Sequence, residues 1–128
     1  MRGFKYPRFS RFAAKEGISD AELWKIVKEL EDGKVDVDLG GGVFKQRLAR
    51  SGEGKSGGYR LIVYFKNEAR AFFVYGFTKT DRDNIDEGEL RAFKVDARDQ
   101  FTLTDEQINI RLKNGTLIEI FMEDQGEI

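Results

Sequence analysis

The spacing of apolar residues along the chain predicts four helices. Ser19 and Glu22 form a capping box, which marks the start of a helix that ends near Gly33. Its buried stripe is predicted to consist of Leu23, Ile26, Val27 and Leu30. A shorter helix over 8–16 precedes it. Two further helices are expected over about 86–100 and from a second capping box at Thr104 to about 114.

Alternation with a period of two, together with aromatic and β-branched runs, predicts the strands. Over 43–50, Lys45 and Arg47 share one face, and the residues between them point to the other. The runs over 59–66 and 69–78 are apolar on both faces, which is typical of strands covered on both sides. Asn67-Glu68 is expected to join them as a hairpin. Residues 3–7 indicate a short edge strand that the only proline ends, and 117–121 indicate a last strand.

These elements predict an α+β fold with helices packed against an antiparallel central sheet. Two helices precede most of the sheet and the other two follow it. The chain has 128 residues and no visible repeat or linker, so we expect a single domain over 1–128.

Two residue types are missing from the chain, and their absence limits its chemistry. The chain contains no histidine and no cysteine. Disulfides, cysteine nucleophiles, zinc-finger sites and every mechanism with an imidazole base are therefore excluded. Any acid–base chemistry has to use carboxylates, lysines, arginines or tyrosines. The basic N-terminal segment is followed by no apolar run, and no segment is long and apolar enough to span a membrane, so we expect a cytoplasmic protein.

The net charge of -1 conceals a strongly basic middle segment. Residues 41–82 contain nine bases and three acids, whereas 83–128 contain five bases and twelve acids. Because adjacent strands of a meander bring their ends together, seven of these bases are predicted to converge on one patch that suits a phosphodiester backbone. They are Lys45, Arg47, Arg50, Lys55, Arg60, Lys79 and Arg82. Tyr59 is a candidate for stacking on a base, whereas Tyr64 fits a core position better. The alternative is that these charges form solvated faces with no partner.

Two short motifs favour other functions but lack the context these functions need. Residues 49–56 fit a relaxed phosphate-loop pattern, but a strand rather than a helix is predicted to follow them. Asp36 and Asp38 lie on one face of an extended segment, and Asp81 and Asp83 flank Arg82. Paired carboxylates are the groups that a magnesium site or a glycosidase uses. In a chain with 23 acids, solvated turns explain both pairs better.

Two segments resemble a known family. Residues 55–64 (KSGGYRLIVY) and 71–85 (AFFVYGFTKTDRDNI) are similar, in order and spacing, to the toxins of the RelE/HigB group of bacterial type II toxin–antitoxin pairs. The leading helices and residues 40–45 also resemble the longer members. The resemblance covers a core over about 1–94, and 95–128 resemble a C-terminal helical extension found in some members.

The resemblance implies the small RelE-like fold and a metal-independent endoribonuclease, an mRNA interferase, that acts in the ribosomal A site without a cofactor. It also implies a cognate antitoxin of helix-turn-helix type. The toxin is expected to contact operator DNA only through this antitoxin. The resemblance implies that Arg60 holds the scissile phosphate. It also places Lys45 and Arg47 at the positions of the preceding strand where relatives have lysines or arginines. Lys79 and Arg82 match the basic turn.

The chain departs from some relatives in having no tyrosine after that turn. Since it has no histidine either, we expect Lys45 or Lys55 to be the base, with its pKa lowered by neighbouring cations and partial burial. Arg50 and Tyr59 are the further expected RNA contacts. Two alternatives are a ParE-like toxin that binds DNA gyrase without chemistry and an inactive RNA- or protein-binding relative.

Overall fold

The computed structural model describes residues 1–50, 58–66 and 69–121. In chain order the elements are β1 (Arg2–Lys5), α1 (Pro7–Glu16), α2 (Asp20–Glu31), β2 (Val37–Gly40), β3 (Val43–Leu48), β4 (Tyr59–Lys66), β5 (Arg70–Thr78), α3 (Glu87–Phe101), α4 (Asp105–Lys113) and β6 (Ile118–Ile120). The predicted α+β class and the four helices are confirmed. The expected hairpin turn, Asn67-Glu68, and most of the phosphate-loop pattern over 49–56 lie outside the described residues.

The six strands form one sheet in the order β2-β3-β4-β5-β1-β6. All pairs are antiparallel except β1 with β5, which run parallel. The expectation that the first strand lies at an edge is wrong, because β1 pairs with β5 on one side and with β6 on the other. Its Phe4 is fully buried and stacks on Phe72 of β5, with ring centres 5.3 Å apart. Burial of this aromatic pair favours the interior position over the edge.

Side chains cap the starts of three helices. Ser19 and Thr104 form the predicted capping boxes at α2 and α4. A third box, between Asp86 and Glu89, starts α3 and was missed in the sequence. Each box satisfies backbone N–H groups that the first helical turn leaves without partners. Within the described ranges, no helix is both long and apolar enough to cross a membrane.

The sheet is covered on both sides, as the apolar strands predicted. Leu61 and Val63 of β4 belong to the core under α1 and α2, whereas Ile62 and Tyr64 belong to the core under α3 and α4. Alternation therefore assigns successive β4 residues to opposite cores. The boundary near residue 94 that the resemblance predicts between core and extension falls inside α3. Residues of α3 and α4 share one core with the central strands.

On the face of the sheet that packs against α3, the side chains of β3 become more exposed towards the end of the strand. Val43 is fully buried, Lys45 is half-buried and Arg47 is exposed, although all three share that face. On β4, Tyr64 and Ile62 are buried and Arg60 is half-buried. The uncovered end of these two strands is where polar side chains can meet a ligand.

Candidate active site

Three cations of β3 and β4 lie together on the uncovered part of the α3 face. Arg47 is directly opposite Arg60 in the antiparallel register, and Lys45 is opposite Ile62, two residues further along. Directly opposed residues have Cβ atoms about 5 Å apart, so the arginines are neighbours. The three basic side chains line a cavity of about 210 Å³ together with Asp36 and Val37. Of the seven bases that the sequence predicts to converge, the structure brings Lys45, Arg47 and Arg60 together here.

Lys45 is the lysine of this group whose environment disfavours its charge. Partial burial, and then the nearby charge of Arg60, lower the pKa of Lys45 below its ordinary value. Its Nζ donates a hydrogen bond of 3.1 Å to Oδ1 of Asn84, which holds the side chain towards the β5–α3 connection. A lysine with a lowered pKa spends more time neutral and can then accept a proton.

A carboxylate beside the β3 strand orients Arg47. Asp36 accepts a 2.7 Å hydrogen bond from the backbone N–H of Arg47, and its other oxygen lies 3.7 Å from the guanidinium. The Arg47 side chain remains 44% exposed. Of the acid pair Asp36 and Asp38, the first therefore orients Arg47, and the second accepts a hydrogen bond from the Gly40 N–H at the end of β2, where the pairing register with β3 shifts.

Arg82 reaches the same place from the connection after β5. Its Nε donates a 3.0 Å hydrogen bond to the carbonyl of Asn84, the residue whose side chain binds Lys45. Its other nitrogens donate to both carboxylate oxygens of Glu89, at 3.0 and 2.6 Å, and to the Tyr75 hydroxyl at 3.1 Å. Arg82 therefore belongs to the site, but a carboxylate already occupies its guanidinium fork.

The pairing of Arg82 with Glu89 changes the pKa of both side chains. The hydrogen bonds from Arg82 lower the pKa of Glu89 to about 2, and Glu89 raises the pKa of Arg82. Glu89 is also the third residue of α3 and forms the capping box with Asp86. The start of this helix therefore fixes the position of Arg82. Sequence reasoning missed Asn84, Glu89 and Tyr75 as parts of the site. The Asp86–Glu89 spacing is the signal that would have located the helix start.

Two predicted RNA contacts, Arg50 and Tyr59, lie on the other side of the sheet. Tyr59 is only 5% exposed, belongs to the core under α1 and α2, and donates a 3.1 Å hydrogen bond to Glu16. Arg50 lies over the Tyr59 ring at 5.7 Å and pairs with the same glutamate at 3.7 Å. The predicted convergence is wrong for both residues, because Tyr59 precedes Arg60 and strand alternation turns it to the opposite face.

The remaining two predicted residues, Lys79 and Lys55, do not add to the described cluster. Lys79 is exposed just after β5 and makes no hydrogen bond or ion pair with the described residues. Lys55 lies outside the described residues. In the part of the chain that the structure describes, no three acidic side chains are grouped closely enough to hold a metal ion.

Comparison with known proteins identifies the family. A search of curated proteins gave no match. A comparison with protein-family models matches residues 1–120 to the RelE toxin of the RelE/RelB toxin–antitoxin system. The match runs through α3 and α4 and beyond the expected core boundary near residue 94. Because it covers nearly the whole chain, and the fold and basic cluster agree with it, this chain belongs to the RelE family of toxins from toxin–antitoxin systems.

Proposed function

We propose that this toxin is an endoribonuclease that cleaves mRNA on the ribosome and thereby inhibits translation in the bacterial cytoplasm. The observation that carries the proposal is the group formed by Lys45, Arg47 and Arg60, in which burial and Arg60 lower the pKa of the lysine. A potential proton acceptor therefore lies next to two cations that suit a phosphate. RelE toxins are generally endoribonucleases, which supports the assignment.

In the proposed reaction, the RNA supplies its own nucleophile. Neutral Lys45 accepts the proton of a ribose 2′-hydroxyl, and the 2′-oxygen forms a bond to the adjacent phosphorus while the bond to the 5′-oxygen breaks. The products are a 2′,3′-cyclic phosphate and a 5′-hydroxyl, whose proton comes from water. The hydrogen bond to Asn84 leaves the lone pair of neutral Lys45 available, because the lysine is the donor in that contact.

The arginines are assigned to the charge that develops on the phosphate. Arg60 binds the non-bridging oxygens, and Arg47 on the neighbouring strand adds a second cation. Arg82, whose pKa is raised by Glu89, stays protonated and neutralises charge at the leaving oxygen. Because Glu89 occupies its fork, Arg82 has to share its donors between the carboxylate and the RNA.

The small size of the cavity supports a requirement for the ribosome. About 210 Å³ accommodates a phosphate group but not several nucleotides, so contacts outside this cavity have to position the flanking nucleotides. Alignment provides a large share of the rate in such reactions. The ribosomal A site would supply this alignment. We further propose that a cognate antitoxin of helix-turn-helix type blocks the toxin and alone connects it with operator DNA.

Replacement of Arg60 tests the proposal. Arg60→Ala is expected to abolish mRNA cleavage in a reconstituted translation reaction followed by primer extension, while its thermal melting stays close to that of the wild type. The matched control is Arg98→Ala, which removes an arginine that is 73% exposed on α3 and should leave cleavage unchanged. Full cleavage by Arg60→Ala would contradict the assignment.

A second assay separates the nuclease from a gyrase-binding toxin. The wild-type chain is expected to leave DNA gyrase supercoiling unaffected at concentrations that cleave translated mRNA. Gyrase inhibition without mRNA cleavage would replace the proposed function, and normal bacterial growth on expression without an antitoxin would indicate an inactive relative.

A further inference from the structure

An exposed arginine at the start of α1 lies next to the candidate active site. The guanidinium carbon of Arg8 lies over the Tyr75 ring, 4.7 Å from its centre. Arg82 lies 5.8 Å from the centre of the same ring and donates a hydrogen bond to the Tyr75 hydroxyl. Tyr75 therefore connects Arg8, which belongs to a different element, to the cluster around Asn84.

Unlike Arg47 and Arg82 of the candidate site, Arg8 has no carboxylate partner among the described residues. Several other arginines are paired within 4 Å, namely Arg2, Arg47, Arg50, Arg70 and Arg82. Glu89 feels the charge of Arg8, but its carboxylate is already bonded to Arg82. The exposed guanidinium of Arg8 is thus fixed over an aromatic ring while its donors remain available to a ligand.

The cations follow the order of the strands across the sheet. Lys45 and Arg47 stand on β3, Arg60 stands on β4, and Tyr75 with its two arginines lies at β5. Neighbouring strands are about 4.8 Å apart, so β3 and β5 are separated by about 10 Å. Nucleotides stacked in a strand rise about 3.4 Å each, so the row from β3 to Arg8 spans about three nucleotides or more.

We infer that Arg8, held over Tyr75, is a stacking platform for one base of single-stranded RNA beside the phosphate bound by Arg60. The inference rests on the proposed function and adds a base-binding subsite to it. Unpaired bases stack on arginine guanidinium planes as well as on aromatic rings. The contact with Tyr75 restrains the side chain before RNA arrives, which lowers the entropy lost on binding. Since every base offers a flat face, the subsite accepts any of the four bases.

Two oligonucleotides that differ only in their bases test the inference. The first is a fluorescent 2′-O-methyl oligonucleotide of about ten nucleotides, which resists cleavage because its 2′-oxygens are blocked. The second has the same phosphates and length but abasic sugars. Binding of each to the full chain is measured by fluorescence anisotropy at low salt, where phosphate contacts are strongest.

Arg8→Ala should weaken binding of the base-bearing oligonucleotide on the order of tenfold and change abasic binding less than about twofold. Arg8→Lys should show the same loss, because it keeps the charge but lacks the flat guanidinium. The matched control, Arg11→Ala, removes an exposed arginine one turn further along α1 and should affect both oligonucleotides equally and little.

Four results would overturn the inference. Equal weakening of both oligonucleotides by Arg8→Ala, or full recovery by Arg8→Lys, would make Arg8 a phosphate contact and not a stacking platform. Unchanged binding by Arg8→Ala, with weaker binding of both oligonucleotides by Arg60→Ala, would remove the subsite and leave the proposed function standing. No binding of either oligonucleotide by the wild-type chain would overturn the subsite but not the proposed function, which the cleavage assay with Arg60→Ala on the ribosome decides separately.

Discussion

Two tyrosines from other parts of the fold donate hydrogen bonds to one carboxylate of α3. The hydroxyls of Tyr6 and Tyr64 lie 2.6 and 2.9 Å from the same oxygen of Asp96. Burial first, and then the adjacent carboxylate, raise the pKa of both tyrosines above the ordinary value of 10.0. The folded state therefore keeps both protons at a pH at which the unfolded chain has lost them.

We predict that Tyr64→Phe changes stability in two separable ways. At neutral pH the variant loses one hydrogen bond to an ionised acceptor, which should lower the free energy of unfolding by about 1.5–3 kcal/mol. For a chain of 128 residues this corresponds to a fall in Tm of roughly 5–12 °C. The ring stays in the fully buried position of Tyr64, so the core keeps its packing.

The second effect appears above about pH 10, where unfolded tyrosines ionise. Each tyrosine that stays protonated only in the folded state lowers the free energy of unfolding by about 1.4 kcal/mol per pH unit as pH rises. Tyr64→Phe removes one such contribution, so the fall in the free energy of unfolding between pH 10 and 11 should become smaller by about 1 kcal/mol, because unfolded tyrosine is only half ionised at pH 10. Tyr6 and Tyr59, whose pKa values are also raised, contribute to the slope that remains.

Urea unfolding at about pH 7.5, 10 and 11 measures both effects, with fluorescence of Trp24, the only tryptophan, as the probe. Tyr75→Phe is the control at neutral pH. Its hydroxyl accepts a hydrogen bond from Arg82, which keeps Glu89 as a partner, so the loss should stay below about 1 kcal/mol. If Tyr64→Phe kept the wild-type slope between pH 10 and 11, the tyrosine would not be held protonated by the fold, and the reasoning would be refuted.

Two further predictions concern the candidate active site. The rate of mRNA cleavage should rise with pH as Lys45 loses its proton, without an inflection near about 6.5, because the chain has no histidine. Lys45→Arg keeps the charge but removes the base and should reduce the rate about 10²–10⁴-fold, so a wild-type rate in this variant would exclude Lys45. In a carboxyl titration followed by NMR, Glu89 should have a midpoint of about 2, which should move back towards the ordinary 4.5 in Arg82→Ala. Since the pKa of Glu89 is lowered by folding, its contribution to stability is present above the unfolded value and is lost as pH falls through the folded one. A wild-type midpoint near 4.5 would show that the ion pair does not form in solution.

The helices were readable from the sequence because their signals are local. Ser19 and Thr104 start α2 and α4 where their capping boxes predict. The faces of β3 were also predictable, since alternation alone puts Lys45 and Arg47 on one side. The same rule places Tyr59 on the other face, and Arg50, beyond the end of β3, lies over its ring. The meeting of strand ends, on which the predicted convergence was based, does not distinguish the two faces of the sheet.

Pairing between distant strands was beyond such local signals. The first four-residue strand looks like an edge strand in isolation, yet it fills the position between β5 and β6. Nothing within residues 2–5 specifies a parallel partner about 70 residues away; burial of Phe4 against Phe72 decides it. In the same way, Asn84, Tyr75 and Glu89 belong to the site only because the end of β5 and the start of α3 lie close to the cations of β3 and β4.

The sequence by itself determined the chemistry open to this protein and the class of its fold. With no histidine or cysteine, any acid–base chemistry has to use carboxylates, lysines, arginines or tyrosines, and the basic segment over 41–82 favours lysine and arginine for a phosphate. The tertiary structure alone decided which of these cations act together. Lys45, Arg47, Arg60 and Arg82 share one face, and Arg50 does not, because side-chain direction follows strand register and helix position rather than charge. The tertiary structure also lowers the pKa of Lys45, since its partial burial and the neighbouring Arg60 exist only once the strands have paired.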